Sequence, residues 1–177
     1  MKKIKEERVI LVDENDIAIG DMEKMEAHHK GELHRAFSVF IFNSKNELLL
    51  QRRALNKYHS GGLWTNSCCS HPRVNEDLLK AAERRLVEEI GIKTKLKGVF
   101  SFIYRADLDN NLIEHEYDHV FFGKYDEAPK LNYDEVMDYK WVSLDDLVDD
   151  IKVNSDKYTY WFKDSIEKVI SYRKLVE

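Results

Sequence analysis

Apolar and polar positions alternate along the first third of the chain, which is the signature of half-buried strands. Glu7 to Asp13 and Asp16 to Asp21 read as a hairpin around Glu14-Asn15, and Arg35 to Phe42 mixes aromatic and β-branched residues at strand spacing. Met22 to Lys30 is a short helical or irregular link, and Asn43-Ser44-Lys45-Asn46 turns the chain into Leu48 to Arg53. A further extended piece, Leu63 to Ser70, ends at His71-Pro72, because proline disfavours helix at the residue before it. The period then changes. Over Asp77 to Ile90, Leu79, Ala82, Leu86 and Ile90 recur on one helical stripe, with Gly91 placed to cap its end. Strands are predicted at Thr94 to Arg105 and Ile113 to Tyr125, joined by Asp109-Asn110-Asn111, and again at Glu135 to Val142. Leu144 to Ile151 reads as a short helix and Tyr158 to Lys174 as a terminal one. Strands and helices are mixed without strict alternation, so the expected class is α+β, a mixed β-sheet sandwiched between helices.

Composition sharpens that picture in three ways. Seven glycines and two prolines in 177 residues leave no linker, so residues 1–177 are expected to form one domain. A net charge of -5 provides no overall field for nucleic acid or anionic lipid, so any anion site must be local. The start, MKKIKEERVILVD, has no apolar segment of a secretory signal, and no run approaches the roughly 18 apolar residues of a membrane span. With only two cysteines, adjacent at Cys68 and Cys69, a disulfide framework is excluded and a cytoplasmic location is expected.

Chemistry-bearing residues cluster in three places. On the predicted helix, Arg85 and Glu89 lie four apart at the edge of the apolar stripe while Glu88 projects away; in isolation they also read as an ion pair worth roughly 0.2–0.5 kcal/mol. In Ile113 to Tyr125 the period of two puts Glu114 and Glu116 on one face and His115 and Tyr117 on the other. Two such carboxylates repel unless a cation or proton lies between them, although an alternating polar face can also be merely solvated. With His28, His34 and His71 they would form a donor set suited to zinc, manganese or iron. In Trp64-Thr65-Asn66-Ser67-Cys68-Cys69-Ser70-His71-Pro72, an extended chain places Ser67, Cys69 and His71 on one face and Cys68 in the core. Free cysteine is often only a small buried hydrophobe; a neighbouring histidine tilts Cys69 toward chemistry.

Glu76, Arg84, Leu86, Glu88, Glu89, Gly91 and Ile92 stand in register with the Nudix signature, with Ser70 in place of its glycine and Arg85 in place of the first glutamate of its Arg-Glu pair. In Nudix hydrolases those carboxylates gather divalent cations, so the arginine speaks against hydrolysis. Further matches are Glu23-Lys24 through Ala27-His28, Leu33 to Ser38, Arg52-Arg53-Ala54-Leu55 with Lys57, Tyr104-Arg105-Ala106, Glu114 with Glu116, Asp134 to Tyr139 and Trp161. Together these resemble the type 1 isopentenyl diphosphate isomerase family, a Nudix-fold family of isoprenoid synthesis.

The resemblance implies that His28, His34, His71, Glu114 and Glu116 ligate one metal, Mn²⁺ or Zn²⁺. The His28 to His34 spacing is one residue shorter than usual, which leaves His29 as a rival. It implies that Cys69 is the acid/base on one face of the substrate and Glu116, helped by the Tyr104 hydroxyl, acts on the other. Glu89 matches a carboxylate for Mg²⁺ arriving with the diphosphate; Lys24, Arg53, Lys57 and Arg85 match its anion-binding residues, and Trp161 the aromatic facing a developing cation. The expected partner is a small-molecule diphosphate, with neither nucleic acid nor membrane, for a monomer or weak dimer. Two other classes compete: a Nudix pyrophosphohydrolase acting on a nucleoside diphosphate derivative, and a catalytically silent diphosphate-binding protein.

Overall fold

The computed structural model describes residues 7–176, with side chains to residue 174. The basic start, residues 1–6, lies outside the described residues.

Strand β1 (Arg8–Val12) pairs antiparallel with β2 (Ala18–Glu23), and the chain then forms helix α1 (Lys24–Lys30). The Glu23 carboxylate caps α1 by accepting from the amides of Met25 and Glu26. Gly31 ends it at φ +67, where a Cβ would sit 2.9 Å from Arg105 Nη1. Its carbonyl instead accepts from Arg105 and His115, which ties the end of α1 to the sheet.

At the centre lies β3 (His34–Phe42). It runs parallel to β8 (Ile113–Lys124) over its whole length, and β8 in turn pairs antiparallel with β7 (Lys97–Asp107). Along its other edge β3 meets β1, then β6 (Cys68–Ser70), and only at Phe42 does it reach β4 (Leu48–Arg53). The strands β3 and β4 therefore diverge, and β4 pairs instead with β5 (Trp64–Thr65) and β9 (Val136–Val142).

Period-two alternation sends opposite faces of this mixed sheet to opposite helices. Phe40, Phe42, Leu48, Leu50, Val120 and Phe122 pack with Leu147 of α3 (Leu144–Val153) and with Phe162, Ile166 and Val169 of α4 (Tyr160–Val176). Phe37, Val39, Ile41, Leu49 and Phe121 pack beneath α2 (Leu78–Ile90). The expected α+β sandwich is thus present. Among the described residues no helix is long and apolar enough to cross a membrane.

Two predicted elements differ. The buried face of α2 carries Ala81, Ala82, Leu86 and Ile90, whereas Leu79 is 38% exposed and Leu78 takes its place against the core. Full burial of Leu86 and of Ile90 contributes about 1.5–3 kcal/mol each, so these residues set the rotation of the helix. Leu63 to Ser70 is not one strand: β5 joins β4, β6 joins β3, and Asn66-Ser67 spans the gap. There the Ser67 hydroxyl accepts from Ile41 N and donates to Leu49 O, while Asn66 Nδ2 donates to Cys68 O. Side chains complete the ladder where two diverging strands cannot.

A histidine–carboxylate centre beside a cysteine cleft

Register explains how distant residues converge. His34 on β3 stands opposite Glu116 on β8, and Glu116 stands opposite Tyr104 on β7. On the other edge of β3, Ser38 pairs with Cys69 and Phe37 with Ser70, so β6 delivers Cys69 and then His71 to the same end of the sheet. Helix α1 supplies His28, which is fully buried; His29 is exposed. A turn of 100° per residue separates them, and it is His28 that faces inward.

His28, His34, His71 and Glu116 each offer a ligand atom within 4.8 Å of one another. Glu114 stands beside this foursome and is grouped instead with His28 and His59. His34 Nε2 lies 3.2 Å from His71 Nε2, and His71 Nε2 lies 2.8 Å from Glu116 Oε1. The outer ring nitrogens are occupied: His28 Nδ1 is 2.7 Å from Lys24 O, and His34 Nδ1 is 2.8 Å from Glu32 O. A carbonyl only accepts, so those nitrogens carry the protons and the Nε2 lone pairs of the neutral rings point inward. His28 Nε2 is buried without a hydrogen-bond partner. Such an arrangement of inward lone pairs fits a divalent cation, and a set of imidazoles and carboxylates is a zinc or manganese type of donor set.

The charges agree. Burial, aided by repulsion from His71 and His34, pushes His28 down to about 3. Burial also takes His71 down to about 4, against the pull of Glu116. For His34 burial opposes the charge, but the Glu116 hydrogen bond and charge outweigh it and the value rises. Burial likewise works against the Glu116 carboxylate, yet His34 and His71 hold it well below the usual range. The Tyr104 hydroxyl lies 2.7 Å from Glu116 Oε2 and 3.0 Å from Glu114 Oε2, so its one proton is shared between two carboxylates. Burial and those carboxylates keep that phenol protonated.

Next to this centre is a cleft of about 30 Å³, lined by Cys69, Ser70, His71, Glu114, Glu116, Tyr104, Trp161, Arg53, Tyr58 and His59. The two thiols part company here. Cys68 is fully buried beneath α2, while Cys69 is half-buried on the opposite face. Burial pushes the Cys69 thiol up to about 12, with Arg53 opposing and Glu89, Glu114 and Glu116 reinforcing. Arg53 is only 6% exposed, donates to His59 O at 3.2 Å, and stacks over Trp161 at 5.2 Å. Its Nε has no partner, and among the described residues no carboxylate stands within 4.0 Å of its guanidinium. The Trp161 indole donates to Asn66 Oδ1, which fixes the ring from the Asn66-Ser67 splice.

The remaining residues singled out from sequence do not line the cleft. Glu89 is 4% exposed and accepts from Arg85 at 2.7 Å and from Gln51 at 3.0 Å. Arg85 and Lys57 both engage Glu135, and Lys24 pairs with Glu7 while covering the Tyr58 ring at 4.6 Å. Missed by sequence reasoning were Tyr58 and His59, in a loop without periodicity, and the buried Asp118, which accepts from Ser38 Oγ at 2.7 Å.

Comparison with known proteins agrees with the geometry. The NUDIX domain profile matches residues 32–162. The chain is 56% identical over 172 residues to the isopentenyl-diphosphate Delta-isomerase 2 of Photorhabdus laumondii, covering 97% of each. It is 54% identical over 170 residues to the isopentenyl-diphosphate Delta-isomerase 2 of Aromatoleum aromaticum, covering 96% of this chain and 90% of that one. Among solved structures, a MutT protein from Methanosarcina mazei aligns with a TM-score of 0.66 at 24% identity, over 80% of this chain and 96% of that one, a likeness of fold alone. From sheet, site and relatives together, the chain belongs to the Nudix superfamily and, within it, to the isopentenyl-diphosphate Delta-isomerases.

Proposed function

We propose that this cleft interconverts isopentenyl diphosphate and dimethylallyl diphosphate, the reaction that names its relatives, by proton addition at C4 and proton removal at C2. The observation that carries the reading is the convergence on one small cleft of a protonated thiol, an ionised carboxylate, an indole face and a buried guanidinium without a carboxylate partner.

In this reading the Cys69 S–H gives its proton to the terminal C4 carbon of the alkene, leaving a tertiary cation at C3. Glu116 then takes a proton from C2 as the electron pair of that C–H bond becomes the new double bond. The Tyr104 hydroxyl, 2.7 Å from Glu116 Oε2, holds that carboxylate in place. A thiol held up to about 12 keeps its proton at neutral pH, as an acid facing a weakly basic alkene must. The face of Trp161 lowers the energy of the cation by cation–π attraction, about 0.5–2 kcal/mol. Burial excludes the water that would otherwise capture it.

Arg53, with Lys24, Lys57 and Arg85, is the proposed diphosphate-binding set, and Glu89 the carboxylate for Mg²⁺ accompanying the diphosphate. A buried guanidinium whose hydrogen bonds go only to the His59 carbonyl and the Cys69 sulfur, with Nε left over, is costly unless an anion completes it, which supports Arg53 in this role. His28, His34, His71, Glu114 and Glu116 would hold a second divalent ion, Mn²⁺ or Zn²⁺, whose positive charge keeps the neighbouring carboxylates ionised. The cleft of about 30 Å³ is small beside the roughly 300–1,000 Å³ of ordinary ligand pockets, as suits a small substrate. The enzyme acts on a small diphosphate in the cytoplasm, as a monomer or weak dimer.

The test is proton NMR of the metal-replete protein with isopentenyl diphosphate and Mg²⁺ in heavy water, with a parallel assay for released phosphate. Dimethylallyl signals with deuterium incorporated and no phosphate are expected. Phosphate release from nucleoside diphosphate derivatives would establish a hydrolase instead, and tight binding without turnover a silent binding protein.

A further inference from the structure

The loop between β4 and β5 brings a fourth histidine to the centre. His59 is 3% exposed, its backbone carbonyl is held by Arg53, and its ring meets Tyr58 and Trp161 edge-on and stacks on His28 at 6.0 Å. Its Nδ1 lies 3.1 Å from Ser60 Oγ. Its Nε2 lies 3.1 Å from Glu114 Oε1, yet no hydrogen bond is aligned between them, and that nitrogen, like His28 Nε2, is buried without a hydrogen-bond partner.

A buried imidazole nitrogen and a carboxylate oxygen at this distance need either a proton directed between them or a shared cation. At 3.1 Å the spacing fits both, and the missing alignment speaks against the first and leaves the second. Two donors each about 2.1 Å from one ion and at right angles are about 3.0 Å apart. The same spacing recurs across the foursome, at 3.2 Å between His34 and His71 and 2.8 Å between His71 and Glu116. The groups His28–His34–His71–Glu116 and His28–His59–Glu114 share His28, whose only free nitrogen is Nε2. One lone pair serves one ion, so the two groups are two sides of a single centre.

We propose that His59 is a direct donor to the divalent ion of this centre, beside Glu114, giving it four imidazoles. This rests on the reading that the centre holds such an ion. With His28, His34, His71, Glu116 and Glu114, His59 supplies a sixth protein donor, enough to fill an octahedral shell without drawing on substrate.

The test is the proton NMR spectrum of the full chain loaded with Co²⁺, in which the ring protons of ligating histidines move far outside the ordinary range. Four shifted imidazole sets are expected in the unmodified protein and three in His59→Gln. Retention of Co²⁺ against a competing chelator should weaken about 10-fold or more in the variant. A histidine that merely positioned Glu114 would also weaken retention, but the unmodified protein would then show three shifted sets. That count overturns the proposal, leaves the metal reading standing, and does not depend on the variant folding. Failure of the unmodified protein to retain Co²⁺ overturns both.

Discussion

Two regions of this molecule gather charge, and they handle it in opposite ways. Along one edge of α2, two arginines engage four carboxylates. Arg84 grips Glu76 through two nitrogens at 2.7 and 2.8 Å and reaches Glu88; Arg85 reaches Glu88, Glu89 and Glu135. Across the sheet, the centre on β3, β6 and β8 leaves His28 Nε2 and His59 Nε2 without hydrogen-bond partners, while Arg53 has no carboxylate partner among the described residues. On the α2 edge the carboxylates are already paired, although Arg85 Nε is buried without a hydrogen-bond partner, so a cation entering it must displace an arginine. The centre and its cleft are open, with lone pairs, a carboxylate and a guanidinium awaiting a counterpart. The Glu89 carboxylate proposed for Mg²⁺ must therefore exchange Arg85 for the arriving ion, whereas the groups that move protons belong to the far face of the sheet.

The contrast can be broken at several points. Glu116→Gln removes the proposed base and a metal donor together, and isomerisation should fall by about 10²–10⁴-fold or more with the fold retained by circular dichroism. Alkylation of Cys69 by iodoacetamide reports the charge state of the cleft. Because its proton is held up to about 12, thiolate is scarce at pH 8 and the rate should be about 10³-fold below that of an ordinary cysteine. The rate should then climb about tenfold per pH unit toward pH 11. Near-normal reactivity at pH 8 would mean a thiolate, and Cys69 could not be the acid. Chelation of the metal-replete enzyme should abolish turnover, and re-addition of Mn²⁺ or Zn²⁺ should restore it.

On the α2 edge, Arg85→Gln removes the ion-pair partner of the buried Glu89, leaving it the Gln51 amide, and should cost about 3 kcal/mol in urea unfolding. Glu89→Gln in the same chain should recover part of that loss, since no unpaired carboxylate then remains; a loss unchanged by the second substitution would mean that Arg85 acts through packing. Smallest is Cys68→Ala, a loss of about 1 kcal/mol from the α2 core.

Much of this was legible because periodicity carries it. The period of two put Glu114 and Glu116 on one face, and the opposite orientations of Cys68 and Cys69 followed from the same rule. What periodicity cannot convey stayed hidden. The choice between His28 and His29 depends on the rotation of a seven-residue helix, which Gly31 fixes through contacts with Arg105 and His115, partners more than 70 residues away. The break at Asn66-Ser67 depends on where β3 and β4 diverge, a property of the whole sheet. The one-residue shift from Leu79 to Leu78 reflects a stripe that both positions extend equally well. His59 lies in a loop, where no spacing rule distinguishes a donor from a solvated ring.

The central claim is that protons move in the cleft on the α4 side of the sheet, through Cys69, and not beneath α2. It is tested most directly by the isomerisation rate of Cys69→Ala measured beside Cys68→Ala, from dimethylallyl signals in heavy water. The expected result is a Cys69→Ala protein that is folded and inactive beside a Cys68→Ala protein that still turns over. An active Cys69→Ala, or an inactive Cys68→Ala that remains folded, would contradict it.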